Sequence, residues 1–249
     1  MKPLIARIKP ASGFSRIAHL GLNILLPLLV FTLVRINFDQ LALAVILLSK
    51  WRMFAVRPRF WAANIRANAV DIIVGVSLLL FMTHNGSQAV QFVWAVLYGV
   101  WLVSIKPASE TFMVSLQAMI ALLCGLVALF LAWPAGPLYG LVVITGAVCY
   151  LSARHFFDSF EEPFAKLLAY IWGYFGAGLV WVLGHWLLFY GGISQPVLLL
   201  VTIGFGLASL YYLDHRGRLN KTLSRQLIFI MVAIVVIVIV RSRWGGKIV

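Results

Sequence analysis

Three polar residues at the start of an apolar run carry the clearest chemical potential in this chain. Asn64, Asn68 and Asp71 are spaced by four and three, which places two amides and a carboxylate on one helix face. Asp71 falls about one turn into the apolar run, and a carboxylate at that depth must face the bundle interior and take a donor. It could then bind substrate or accept a proton. The plain alternative is a structural ion pair with a nearby Arg, or a carboxylate stabilised by a helix N-terminus.

A second group lies in Arg154-His155-Phe156-Phe157-Asp158-Ser159-Phe160-Glu161-Glu162-Pro163, read as a loop. It combines a His with three acids, and His155 is its candidate binding residue. A Glu pair followed by Lys166 and a later His185 has the outline of an intramembrane protease site. The acids sit in a loop, however, and His185 belongs near the opposite face, so that chemistry is set aside. No tight ligand spacing such as His-x-x-x-His occurs, so no metal site is expected. The chain has no Gly-rich nucleotide loop, and neither a cofactor nor direct use of ATP is expected. The plain reading is a solvated acidic loop whose phenylalanines dip into the membrane interface.

Residues 50–66 interleave basic and aromatic side chains, with Trp51, Phe54, Trp61 and Ile65 recurring near helical spacing. Such a stretch lies in the headgroup plane, aromatics inserted and arginines on phosphates. Arg57, Arg59 and Arg66 are therefore candidates for anionic headgroups, or for a phosphorylated or lipid-linked substrate. Single-stranded nucleic acid is bound by the same mix of residues, but membrane proximity points to lipids as partner and not to nucleic acid. Further on, Tyr170, Tyr174, Trp181 and His185 share a narrow arc of one helix, and could line a cavity for an amphiphile or simply pack. Ala169, Gly173 and Ala177 form a small-xxx-small row on the neighbouring arc, suited to close helix contact.

The elements that must position these residues are apolar helices. Of the 249 residues 63% are hydrophobic and 11% charged, against roughly 25% charged in a soluble domain. A domain of this size cannot bury so much apolar surface in water, so lipid is the expected solvent. The expected fold is all-α, a polytopic transmembrane helical bundle forming one integral membrane domain over residues 1–249. Runs at 17–35, 68–84, 88–105, 111–133, 138–153, 164–190 and 196–213 approach the ~20 residues a span requires. Two more, 39–50 and 227–240, are short. About nine spans are predicted, with eight plus a re-entrant end as the alternative. His84-Asn85-Gly86-Ser87, Pro134-Ala135-Gly136-Pro137 and Gly191-Gly192-Ile193-Ser194 supply breakers between the runs.

With nine spans and the N-terminus inside, basic residues from Lys2, Arg7, Lys9 and Arg16 onward gather on the cytosolic side. Arg35, Arg241, Arg243 and Lys247 are the exceptions. The net charge of +13 is then a matter of topology, not of nucleic-acid binding. The basic N-terminus is read as leading into a retained first span and not as a signal peptide. A bacterial cytoplasmic membrane is the default location. Cys124 and Cys149 both sit inside apolar runs and are expected to be packing residues. Leu97-Tyr98-Gly99-Val100 recurs faintly as Leu138-Tyr139-Gly140-Leu141.

Three functions remain open. The first is transport or handling of a small molecule or lipid across or within the membrane. The second is an embedded enzyme acting at the cytosolic face on a lipid-linked or phosphorylated substrate. The third is a structural or assembly subunit, with other membrane subunits or further copies of the chain as partners.

Overall fold

The computed structural model describes residues 14–134, 136–185, 189–190 and 193–242. Lys2, Arg7, Lys9, Ala135, Gly191, Gly192, Arg243 and Lys247 lie outside the described residues. Nine α-helices follow one another among the described residues. They are α1 (Phe14–Arg35), α2 (Asp39–Leu48), α3 (Trp61–Thr83), α4 (Gln88–Val100), α5 (Thr111–Ala132), α6 (Leu138–Asp158), α7 (Ala165–Gly184), α8 (Gln195–His215) and α9 (Lys221–Arg241). Seven of them, α3 to α9, are long and apolar enough to span a membrane, α3 and α4 with their flanking turns. α2 has ten residues, a rise of about 15 Å against a hydrocarbon core of about 30 Å. α9 is one continuous 21-residue helix, longer than the 227–240 run because Lys221 to Gln226 extend it by more than a turn.

Short connections force neighbouring helices antiparallel, and polar contacts mark the two ends of the bundle. At one end Arg35, the last residue of α1, reaches Gln91 in the first turn of α4. The Gln91 amide in turn donates to the carbonyls of Met82 (3.1 Å) and Asn85 (2.6 Å) at the end of α3. At the other end Lys50, after α2, and Lys106, after α4, meet Asp71 of α3. This second end also carries the α2–α3 connection with Arg57 and Arg59, the α6–α7 turn, and the α8–α9 turn with Arg216 and Arg218. It is called the basic end below.

Three turns close with the same device, a left-handed residue just past the helix. Asn37 (φ 60°) ends α1, Glu161 (φ 53°) follows α6 and Gly217 (φ 62°) follows α8. In each the next amide bonds back five residues: Phe38 to Leu33, Glu162 to Phe157, Arg218 to Leu213. Glycine and asparagine adopt this conformation readily, whereas glutamate pays a steric cost.

Two apolar cores meet along α5. The first joins α1–α4 and one face of α5, with Val30, Ile46, Val74, Met82, Tyr98 and Leu102 at its centre. The second joins α5–α8 around Leu122, Leu126, Cys149, Val180 and Leu200. Within the second, α6 and α7 pack closely because small residues face one another. A Cβ on Gly173 would lie 3.1 Å from the Gly146 carbonyl oxygen and 3.0 Å from the Tyr150 Cβ. Ala169 of the same row is fully buried. Cys149 is buried and Cys124 half-buried, both as free thiols. α9 packs chiefly on α8, with Met231 laid over Gly206, and its other faces look outward.

Two segments differ from the expectation drawn from sequence. Arg154 to Asp158 are the last turn of α6 and not loop, held by an i,i+4 ion pair of 2.9 Å and by the burial of Phe156. The 164–190 run is not one helix. α7 stops at Gly184, and Phe189–Tyr190 then pairs antiparallel with Ile193–Ser194 (β1 and β2). In the faint repeat the two tyrosines sit differently: Tyr98 is fully buried near the end of α4, while Tyr139 is exposed in the first turn of α6.

Candidate functional site

Apart from a Glu162–Tyr211 pair, polar groups at the basic end form a chain of contacts from α2 to α6. It begins at Asp71, which is 6% exposed. Its Oδ1 accepts a 2.9 Å hydrogen bond from Trp101 Nε1, and its Oδ2 is shared by the ammonium groups of Lys50 and Lys106. Local backbone geometry makes this possible. After Val100 the helix widens into a π-turn over Trp101–Ile105, closed by the Lys106 amide on the Trp101 carbonyl at 2.8 Å. In an α-helix residues five apart point about 140° away from each other. The widened turn lets Trp101 and Lys106 address the same carboxylate. Lys50 is 7% exposed. Burial pushes its ammonium down to about 8, against the opposing pull of Asp71.

Gln117 of α5 takes up the chain. Its amide nitrogen donates to the carbonyls of Ile105 (2.7 Å) and Ala108 (3.0 Å), satisfying the end of the π-turn. Both amide hydrogens are then used, so Oε1 is the acceptor for His155 Nε2 at 3.1 Å. That bond requires a hydrogen on His155 Nε2. One turn beyond α6, the Glu162 carboxylate accepts a short hydrogen bond from the Tyr211 hydroxyl of α8. The left-handed Glu161 is what turns the chain back so that Glu162 faces α8.

Beside this chain lie two apolar cavities of about 290 Å³ each. The first is bounded by α5 (Met119, Leu122), α6 (Ser152, Phe156), α7 (Leu168, Trp172) and α8 (Gly204, Ala208, Tyr211). The second lies on the far side of Met119, Phe156 and Ala208, between α5 and α8, and is closed by Phe112, Phe205 and Tyr212. The first exists because α7 and α8 touch little along their length. Trp172 of α7 approaches Gly204 of α8 at one side of the gap. Ile171 and Leu207, on the lips of the first cavity, face outward, so it opens sideways. Its wall includes one buried hydroxyl, that of Ser152, with no protein partner among the described residues. Tyr211, whose hydroxyl is bonded to Glu162, is part of the same lining. Arg216 lies over the ring of Tyr212, which lines the second cavity, at 5.4 Å.

The residues singled out from sequence are distributed unevenly over this arrangement. Asp71 is paired, with two lysines and a tryptophan in place of the arginine expected from sequence. Asn64 and Asn68 do share its helix face, but their amides serve the backbone. Asn64 donates to the Met53 carbonyl (3.3 Å), pinning the α2–α3 connection, and Asn68 donates to the Asn64 carbonyl (2.9 Å). Arg57, Arg59 and Arg66 are exposed around the same end, Arg59 stacked 4.6 Å over Phe60. Trp51, Phe54, Phe60 and Trp61 are also exposed, and Trp61 is fixed by a 3.0 Å bond to the Val56 carbonyl. His155 belongs to the Gln117 contact. Tyr170, Tyr174 and Trp181 face outward from α7, Tyr174 being 76% exposed. Tyr170 stacks on Tyr150 at 4.8 Å. The cavity is lined by the adjacent arc of α7, through Leu168, Ile171 and Trp172.

Sequence reading misses the cavity residues. The one signal available is Gly204 and Ala208, small residues one turn apart on α8 with no matching small row to pack against. No protein-family model, curated protein or solved structure matches the chain.

Proposed function

We propose that the protein binds and handles a membrane amphiphile, seating its apolar tail in the cleft between α7 and α8. The observation that carries this reading is the sideways-open apolar cavity between those helices. A bundle whose only task is to hold partners gains nothing from a void between helices. Interiors otherwise pack to crystal-like density, and an apolar void left unfilled forfeits dispersion contacts. A lipid tail entering from the bilayer restores those contacts without crossing water. The lining is apolar apart from the Ser152 hydroxyl and Tyr211, whose hydroxyl is bonded to Glu162 at the basic end, as suits a ligand with one polar end. The concentration of basic residues at this end orients it to the cytosol. The cleft then opens to the inner leaflet, and the exposed Trp51, Phe54 and Trp61 with Arg57, Arg59 and Arg66 rest on its headgroups.

The test is photo-crosslinking of the protein in nanodiscs with a phospholipid carrying a diazirine along its acyl chain. Crosslinks should concentrate on Leu168, Ile171, Leu207 and Ala208. Ala208→Phe, which fills the wall shared by both cavities, should reduce them several-fold while leaving crosslinks to the outward face of α9 unchanged. Equal labelling of the cleft and α9, or indifference to Ala208→Phe in a folded variant, would sink the proposal.

A further inference from the structure

The Asp71 cluster carries more positive charge than an ion pair requires. Two ammonium groups share one carboxylate oxygen, and the other oxygen is taken by Trp101. The cluster therefore holds a net charge of +1. The only other ion pair among the described residues is Arg154–Asp158, far along the chain, so no second acid balances it. Taking a charge out of water without compensation is costly. A purely structural lock would need only one lysine.

Hydrogen-bonding capacity points the same way. Each ammonium offers three N–H donors. Among the described residues Asp71 is the only ion-pair partner of either lysine. Lys50 is buried, so its spare donors cannot all be satisfied by bulk water. Lys106 is 37% exposed on its side chain and opens the cluster toward the basic end. Both lysines follow the last turns of α2 and α4, which is the level at which headgroups would lie.

We propose that Lys50 and Lys106 form a binding site for a phosphate-bearing group of net charge −1. One negative charge brings the cluster to neutrality, and phosphate oxygens accept the charge-assisted hydrogen bonds that the ammonium groups have to spare. Asp71 holds both lysines in position, and Trp101 holds Asp71. Arg57, Arg59 and Arg66 line the same end and raise the local concentration of anions. The site lies in the α1–α4 half of the molecule and does not depend on the α7–α8 cleft. Its ligand chemistry is shared by an anionic lipid headgroup and by free phosphate.

Amine acylation of the full-length protein, followed residue by residue with mass spectrometry, tests this without a mutation. The protein is held in phosphatidylcholine nanodiscs, and the rate at Lys106 is compared with that at exposed Lys221. In one arm inorganic phosphate is added; in the other, phosphatidylglycerol replaces part of the lipid. Slowing of Lys106 well beyond that of Lys221 is the expected result. Protection by phosphate identifies a soluble anion, and protection by phosphatidylglycerol alone identifies a headgroup. A Lys106 rate that follows Lys221 in both arms would overturn the proposal. Native mass spectrometry provides a second readout: Lys106→Gln should lose the retained anion and Lys106→Arg should keep it. Equal retention in both variants would also overturn it. Neither measurement touches Ala208, so failure here and failure of the cleft reading are distinguishable.

Discussion

The two halves of this bundle hold themselves together by different means. In α1–α4, polar side chains cross from helix to helix at both ends, through Arg35–Gln91 at one and Lys50–Asp71–Lys106 at the other. Between them the core is filled, with Tyr98, Ile46 and Met82 fully buried. In α5–α8 polar side chains meet across elements at the basic end alone among the described residues, through Gln117–His155 and Glu162–Tyr211. Elsewhere the close contacts are between small residues, Gly146 and Gly173 above all, and the first apolar cavity lies where α7 and α8 lack such a match. In lipid, apolar side chains gain little by leaving the solvent, so helix association rests on close packing and polar contacts. The half with polar contacts at both ends is closed. The half that relies on packing is open wherever the packing partners are missing.

The strongest way to break this comparison is to remove the acid that serves both lysines. Asp71→Leu leaves a buried ammonium and its neighbour without a counter-charge. Breaking a buried ion pair from one side costs about 3–5 kcal/mol. The variant should therefore unfold far below the wild type in thermal scans of detergent-solubilised protein, or fail to accumulate. Adding Lys50→Met should recover part of the loss, because the buried unpaired charge is then gone. An Asp71→Leu variant as stable as wild type would mean that the charges do not hold the first half together.

The packing half has its own weak point at the α6–α7 contact. Gly173→Leu forces a side chain into the space between Tyr150 and the Gly146 backbone, where the neighbours cannot yield. Overpacking of this kind costs about 1–3 kcal/mol. Gly178 lies on the same helix, and a Cβ added there would meet nothing within 4 Å. Gly178→Leu is therefore the matched control, and its unfolding temperature should stay at the wild-type value. A loss of stability shared by both variants would point to helix propensity and not to the α6–α7 contact.

How far these features can be read from sequence follows from their physical range. Asp71 is legible as an inward-facing, paired carboxylate, because an acid inside an apolar run has few other options. Its partners are not. Lys50 and Lys106 lie 21 and 35 positions away, and Lys106 reaches Asp71 only because the helix widens at Trp101, which no local signal announces. The Ala169–Gly173–Ala177 row is legible from spacing, and it does meet α6. The aromatic stripe beside it is equally regular, yet it faces outward, since periodicity identifies a face without saying which neighbour covers it. The cleft is harder still. Leu168, Ile171, Leu207 and Met119 are ordinary apolar residues, and only the gap between two helices makes a cavity of them. The acidic segment reads as loop throughout, but its first five residues are helix, because Phe156 and the Arg154–Asp158 pair extend α6 by a turn past the expected end; Glu161 and Glu162 do lie in a turn.

The smallest effect offers the sharpest test of the closed half. Tyr98 is fully buried, and its hydroxyl has no protein partner among the described residues. It lies where α2, α3 and α4 converge, so close that a Cβ on Gly75 would stand 3.0 Å from its oxygen. Leaving a buried hydroxyl unpaired costs about 1–3 kcal/mol, and an apolar replacement of the same shape removes that cost. Tyr98→Phe should therefore be neutral or slightly stabilising, a thermal shift of a few degrees at most. The sign decides the matter. If the variant loses stability, the hydroxyl is satisfied by water that penetrates between α2 and α4. The first half is then hydrated next to Asp71, and the contrast between a closed polar half and an open apolar half fails at its centre.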